Sequence, residues 1–255
     1  MTTVDSPRTV QAVQISLDIV NALKQRRGAG VTELAEELEY AKGTIHSHLA
    51  TLIENEYVVK EEGTYRLSLQ FLELGQLVKD RINAYDAIRN ELDDLAEECD
   101  ELAQFATHEH GRIVYLYKAR GENAVQTASR VGMREYMHCT ALGKSMLSQL
   151  PEERVDEIVE RHGLPKFTDQ TITSKPTLKM DLESIRERGY AFDEEEKIEG
   201  LRCVSTPIQT NDGEILGAIS VSGPSSRMEG DLYREEIPQM LERSANVIEI
   251  NSQFG

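Results

Sequence analysis

The chain has 255 residues, with 45 Asp+Glu against 28 Lys+Arg and a formal net charge of −17, so its length allows two domains while its bulk charge opposes nonspecific attachment to nucleic acid. It contains no apolar run long enough to cross a bilayer, and its start, MTTVDSPRTV, lacks the basic region and apolar stretch of a secretory leader, which predicts a cytoplasmic protein. Three cysteines, Cys99, Cys139 and Cys203, lie far apart without a CxxC pair and argue against a disulfide framework or a cysteine-only zinc site.

A first helix carries Ile15, Ile19, Val20 and Leu23. A second places Val31, Leu34, Ala35 and Leu38 at steps of three and four and ends near Tyr40; a third opens after Ala41 with Ile45, Leu49, Leu52 and Ile53 on one face. Three such stripes make a small core. The opposite side of the third helix is small and polar, centred on Ser47 with Gly43, Thr44, Ala50 and Thr51 around it and His46 and His48 at its edges. No carboxylate occurs from Lys42 through Ile53, as a helix lying beside phosphates requires. Strand-like runs Tyr57 to Lys60 and Tyr65 to Leu67 flank Glu62-Gly63, a hairpin signal. The order predicts a mostly α winged helix-turn-helix over residues 9–68, with Lys42, Thr44, His46, Ser47, His48 and Thr51 meeting double-stranded operator DNA. Residues 1–70 hold seven Lys+Arg and ten Asp+Glu, net −3, leaving 21 against 35, net −14, for the remainder. Most of the acid therefore lies away from the predicted reader.

Ser68 to Arg81 reads as a helix within a linker, 69–84, and Tyr85 to Cys99 as a further helix with Ile88, Leu92, Leu95 and Ala96 on one stripe. Strands then follow at Leu102 to His108 and Ile113 to Ala119, around Glu109-His110-Gly111. A loop with Arg130, Gly132 and Arg134 leads to helices Thr140 to Leu150, Pro151 to His162 and Pro176 to Arg188, the last closed by Gly189. Strands Cys203 to Gln209 and Ile215 to Ser222 surround Asn211-Asp212-Gly213, and a helix spans about Gly230 to Ile250. The region 85–255 is thus expected to be an α+β domain with an antiparallel sheet.

Two stretches are more specific. TALGK at Thr140 to Lys144, in the context HCTALGKSMLSQLP, and GYAFDEEEKIEGLRCVSTPI…GAISVSGP, from Gly189 to Pro224, resemble the effector domain of the isocitrate lyase regulator (IclR) family. The order of winged helix, linker helix and effector domain is similar too, over nearly the whole chain. The resemblance implies a homodimeric or homotetrameric transcription factor that controls a catabolic operon for sugars, including pentoses, or organic acids. Its GAF-like C-terminal domain would bind a small effector, an organic acid or sugar derivative, without cofactor, metal or catalytic residues. The pocket implied by motif comprises Ala141, Leu142, Asp193, Leu201, Cys203, Ser220 and Ser222. The residues agree in part: Ser220 and Ser222, two apart on a strand, face one side, and free N–H groups at the Ala141-Leu142 helix start suit an anion. The acidic excess is that of proteins from a salt-rich cytoplasm and points to a haloarchaeal source.

Departures from the family pattern are Ser47 where Arg is common, Ala41 where Pro is common, and the segment near Tyr136-Met137 before TALGK, where a Pro is usual. Without Arg or Asn on the reading face, bidentate base recognition is unavailable there, leaving hydroxyls, imidazoles, water or DNA shape. Cys203 also reads as a small buried hydrophobe, and Asp193 as one solvated acid of the run Asp193 to Glu196. Three other functions stay open. Cys139 or Cys203 with His138, His108 or His110 could form an enzyme's nucleophile and base. His108-x-His110 on one strand face, with His138 and Cys139, could hold a sensed metal. The fold could also serve as an interaction module without DNA binding.

Overall fold

The computed structural model describes residues 9–82, 84–210 and 212–252. Residues 1–8 of the stretch read for a leader, Asn83 of the predicted linker, Asn211 of the predicted turn and the last three residues lie outside that description. The chain divides into two compact units, 1–81 and 82–255.

In the first unit, α1 (Gln11–Arg26), α2 (Val31–Leu38) and α3 (Lys42–Glu54) enclose Ile15, Ile19, Leu23, Leu34, Ala35, Ile45 and Leu49, the residues that helical spacing selects. Glu39, in the left-handed region at φ 57°, ends α2 and turns the chain into α3. The hairpin of β1 (Val58–Glu61) and β2 (Thr64–Leu67) closes through Glu62 and Gly63, both at positive φ, which gives the mirror-image turn that fits strand twist. It contributes Val58 and Tyr65 to the helical core. Ala29 and Tyr65 exchange backbone hydrogen bonds at 3.0 and 2.9 Å, fixing the wing to the α1–α2 connection. Ile53, expected in the core, is 37% exposed because α3 outruns its neighbours. The predicted linker helix is α4 (Gln70–Lys79), shorter than Ser68 to Arg81; among the described residues it buries none, and Leu69, Leu72, Leu77 and Val78 are exposed.

The second unit is a six-stranded antiparallel sheet in the order β5-β4-β3-β8-β7-β6. It comprises β3 (Leu102–Glu109), β4 (Arg112–Arg120), β5 (Arg134–Tyr136), β6 (Ala191–Glu194), β7 (Leu201–Gln209) and β8 (Ile215–Pro224). One face bears Ala103, Phe105, Val204, Ile219 and Val221 and is covered by α5 (Tyr85–Cys99) and α9 (Ile237–Ser252). The other receives α6 (Ala141–Gln149), α7 (Glu152–His162) and α8 (Lys175–Arg188) over Ala106, Ile113 and Ala218. Thus the domain is α+β with a curled antiparallel sheet, as expected. Edge strands β5 and β6, three and four residues long, escaped prediction because so few residues show no period. The predicted final helix begins instead with a π-helical turn, Leu232–Glu236: Pro238 has no N–H to offer Arg234, and Ile237 bonds back to Leu232.

A bulge sets the working face. Phe105 pairs with Tyr117 but Ala106 with Tyr115, so Leu116 is an extra residue that shifts the alternation of β4. Lys118 and Tyr115, which strict alternation would separate, consequently share the face that bears Gln104 and Ala106.

Candidate functional site

On α3 the side chains of Lys42, His46, Ser47 and Thr51 are exposed, and Thr44 and His48 are half-buried. The Ser47 hydroxyl donates to the Gly43 carbonyl at 3.0 Å, and that of Thr51 to the Ser47 carbonyl at 3.2 Å. Their hydrogens are thereby used inside the helix, leaving oxygen lone pairs and the Thr51 methyl facing out. His48 Nδ1 lies 2.9 Å from the Ser16 hydroxyl, so its ring is held against α1 and is turned from the reading face on which the sequence placed its edge. On the wing, Lys60 sits 5.1 Å from the Tyr65 ring centroid, and Arg66 is paired with Glu61.

The second site is a cavity of about 80 Å³ between the sheet and the start of α6. Register across the strands aligns Asp193, Cys203, Ser222 and Leu102 in one row, and Ser205, Ser220, Gln104 and Lys118 in the next. All seven residues implied by the family motifs line the cavity: Ala141, Leu142, Asp193, Leu201, Cys203, Ser220 and Ser222. Gly143 lets the first turn of α6 lie against the segment that leads into it, since a Cβ there would clash with the Met137 backbone. Thr140 caps the helix, its hydroxyl accepting from Gly143 N at 3.1 Å. Ala141 and Leu142, at the first two helical positions, thus bring to the cavity N–H groups that have no intrahelical acceptor. Ser220, 1% exposed, has no hydrogen-bond partner for its hydroxyl oxygen among the described residues.

Sequence reasoning missed the rest of the polar lining. Gln104 donates to Ser129 at 3.0 Å and accepts from Ser222 at 3.4 Å. Lys118, behind that wall, donates to Thr127 and to both oxygens of Ser129, and burial lowers its pKa to about 8. Glu135 and Lys197 line the cavity as an ion pair at 2.6 Å, with the ammonium 3.6 Å from the Phe167 ring centroid. A lone polar residue in the apolar run Leu102 to Ala106 was a readable signal for Gln104. Lys197, inside an acidic run, gave none.

Asp193 is buried rather than solvated; burial first, and the Glu196 carboxylate second, push its pKa up to about 7. It accepts the Glu196 backbone N–H at 2.8 Å. Glu196 holds the buried Lys144, which also donates to Asp181 at 2.9 Å. Burial opposes the Lys144 charge, but these two carboxylates outweigh it and raise its pKa. The cavity wall and the start of α6 are therefore tied by one buried ionic unit.

The open alternatives meet physical obstacles. Burial pushes the Cys139 thiol up to about 12 and raises that of Cys203, so neither is an activated nucleophile. β3 ends at Glu109 and His110 turns into the left-handed region at φ 54°, so His108 and His110 do not share a strand face. Among the described residues no three His, Cys, Asp or Glu side chains gather as a metal site. His138 is buried beside the Pro165 carbonyl at 3.1 Å, and burial lowers its pKa.

A helix-turn-helix with a wing and a separate α+β domain closing over a small cavity define a DNA-binding regulator of two parts. Residues 12–62 match the IclR helix-turn-helix domain and residues 76–250 match the family described as bacterial transcriptional regulator IclR C-terminal. The chain is 33% identical over 248 residues to a probable HTH-type transcriptional regulator ArcR of Halobacterium salinarum, covering 96% of this chain and 94% of that one. It is 30% identical to the HTH-type transcriptional regulator KdgR of Escherichia coli, with 98% and 94% covered. The crystal structure of the Thermotoga maritima IclR superposes with a TM-score of 0.75 at 30% identity, covering 95% of this chain and 97% of that one. The chain belongs to the IclR family of transcriptional regulators and is not an enzyme.

Proposed function

We propose that the protein is a cytoplasmic homo-oligomer that binds operator DNA through α3 and the wing, and that a small organic acid or sugar derivative in the α6 cavity sets its affinity for that operator. It would govern a catabolic operon for sugars, pentoses among them, or organic acids, as membership of the family implies. The observation that carries the effector reading is the unsatisfied Ser220 hydroxyl, buried beside the free N–H groups of α6. Among the described residues, no helix is long and apolar enough to cross a membrane. Exposed apolar side chains at the start of and along α1 (Val10; Val13, Leu17) and on α4 favour self-association, which light scattering of the purified chain would measure.

The test is a gel-shift titration on the chain's own upstream region with and without candidate metabolites, guided by expression profiling of a deletion strain on different carbon sources. Effector and DNA affinities must be reciprocally linked, so a metabolite that binds without changing operator affinity would sink the proposal. Lys42, exposed at the start of α3, is proposed to contact phosphate. Lys42→Ala should weaken binding evenly across operator sequences and lower the salt slope by about one unit.

A further inference from the structure

The cavity is asymmetric in a way that selects its occupant. One part of its lining is the α6 N–H groups of Ala141 and Leu142 and the unpartnered Ser220 hydroxyl, three donors, together with the Asp193 carboxyl, whose pKa burial pushes up to about 7. The other part is Glu135 and Lys197, 13% and 17% exposed, which line the same cavity and already neutralise one another. A second carboxylate on the ligand would have to take Lys197 and strand Glu135, and an ammonium would have to take Glu135 and strand Lys197. Either breaks a largely buried pair and leaves an uncompensated charge. An uncharged hydroxyl meets neither obstacle, since its oxygen accepts from the ammonium while its hydrogen goes to the carboxylate.

We propose that the effector is a short hydroxylated monocarboxylic acid, its carboxylate on Ala141, Leu142 and Ser220 and its hydroxyl bridging Glu135 and Lys197. This rests on the reading of the cavity as the effector site and adds Glu135 and Lys197 as the residues that set specificity. Neither is among the seven pocket residues that the family motifs imply.

Isothermal titration calorimetry of the full chain with a three-carbon series tests it: D-glycerate, L-glycerate, propionate, malonate and L-serine differ only in the groups at issue. One glycerate enantiomer should bind at least about tenfold more tightly than the other three acids, the scale of a hydrogen-bonded hydroxyl pair. Glu135→Gln and Lys197→Met should each erase about that preference, so that glycerate and propionate bind each variant within about threefold of one another. Propionate binding as tightly as glycerate overturns the inference, as does malonate or serine binding tightest. The wild-type series decides even if a variant fails to fold. If malonate or serine binds tightest and Ser220→Ala weakens it, the cavity is still the effector site and only the hydroxy-acid assignment falls. If none of the acids binds and no metabolite shifts operator affinity, both readings fall.

Discussion

The two faces of the six-stranded sheet are built from alternate residues of the same strands, yet they do opposite work. Toward α5 and α9 the strands present Phe105, Val204, Ile219 and Val221, all fully buried and joined by Leu92, Tyr233 and Leu241 in one apolar cluster. Toward α6 the intervening positions are Gln104, Cys203, Ser205, Ser220 and Ser222, small or polar, and they leave a cavity. The first face is apolar throughout, whereas the second combines an apolar cluster under α6–α8 with the polar lining of the proposed effector cavity, the two faces separated by a single residue step along each strand.

The largest effects should therefore come from the packed face. Phe105→Ala removes a fully buried ring and should cost about 3–5 kcal/mol in denaturant unfolding. A change below about 1 kcal/mol would mean that this face is not the core. Lys144 is the exception on the other side, since it is buried against Glu196 and Asp181. Lys144→Met leaves Glu196 without its cation inside the protein and should cost on the order of 3–5 kcal/mol. That result would extend the comparison by showing that the recognition face has its own structural anchor directly beneath the cavity.

A pH titration addresses the same contrast at intermediate magnitude. Asp193 sits on the recognition face with its pKa pushed up to about 7 by burial and by Glu196. Because the folded protein holds this proton more tightly than the unfolded chain, the group's contribution to stability declines as pH rises from about 4 toward 7. Protonated Asp193 tolerates an anionic effector and ionised Asp193 repels it, with Lys144 and Lys197 the compensating cations nearby. Effector affinity should consequently fall above about pH 7, by up to tenfold per pH unit, with proton uptake on binding at neutral pH. Calorimetry in buffers of different ionisation enthalpy measures that uptake; a pH-independent affinity, or Asp193→Asn retaining the full pH dependence, would remove Asp193 from the pocket's chemistry.

Much of this division is legible in the sequence. Helical spacing selected the core of the first unit, and the two-residue step from Ser220 to Ser222 placed both hydroxyls on one side. The TALGK and GLRC segments then carried the remaining family positions to the cavity. What escaped has physical reasons. The bulge at Leu116 moves Tyr115 and Lys118 onto one face against simple alternation, and a single sequence carries no mark of an inserted residue. The Glu135–Lys197 pair joins the edge strand β5 to a turn 62 positions away, and no local period reports such a contact. His48 lies at the rim of the α3 wheel, where a rotation of a few degrees decides between DNA and Ser16; only the packing against α1 resolves it.

The smallest expected stability effect is the most informative about how the two faces differ. Removing a hydroxyl whose partner is also buried normally costs about 1 kcal/mol or more, because a polar group is left stranded. Ser220 is already stranded, so Ser220→Ala removes the unsatisfied atom itself and replaces it with a methyl hydrogen. Unfolding of the free protein should therefore change by less than about 0.5 kcal/mol, or move toward greater stability. Effector binding should weaken in the same variant by roughly five- to tenfold, about 1 kcal/mol or slightly more. Ser222→Ala offers the internal contrast: its hydroxyl donates to Gln104 at 3.4 Å, so its loss should be felt in the free protein as well. If Ser220→Ala instead destabilises the free protein as much as Ser222→Ala does, then Ser220 serves the fold, and the boundary between the packed face and the recognising face has been drawn one residue too far.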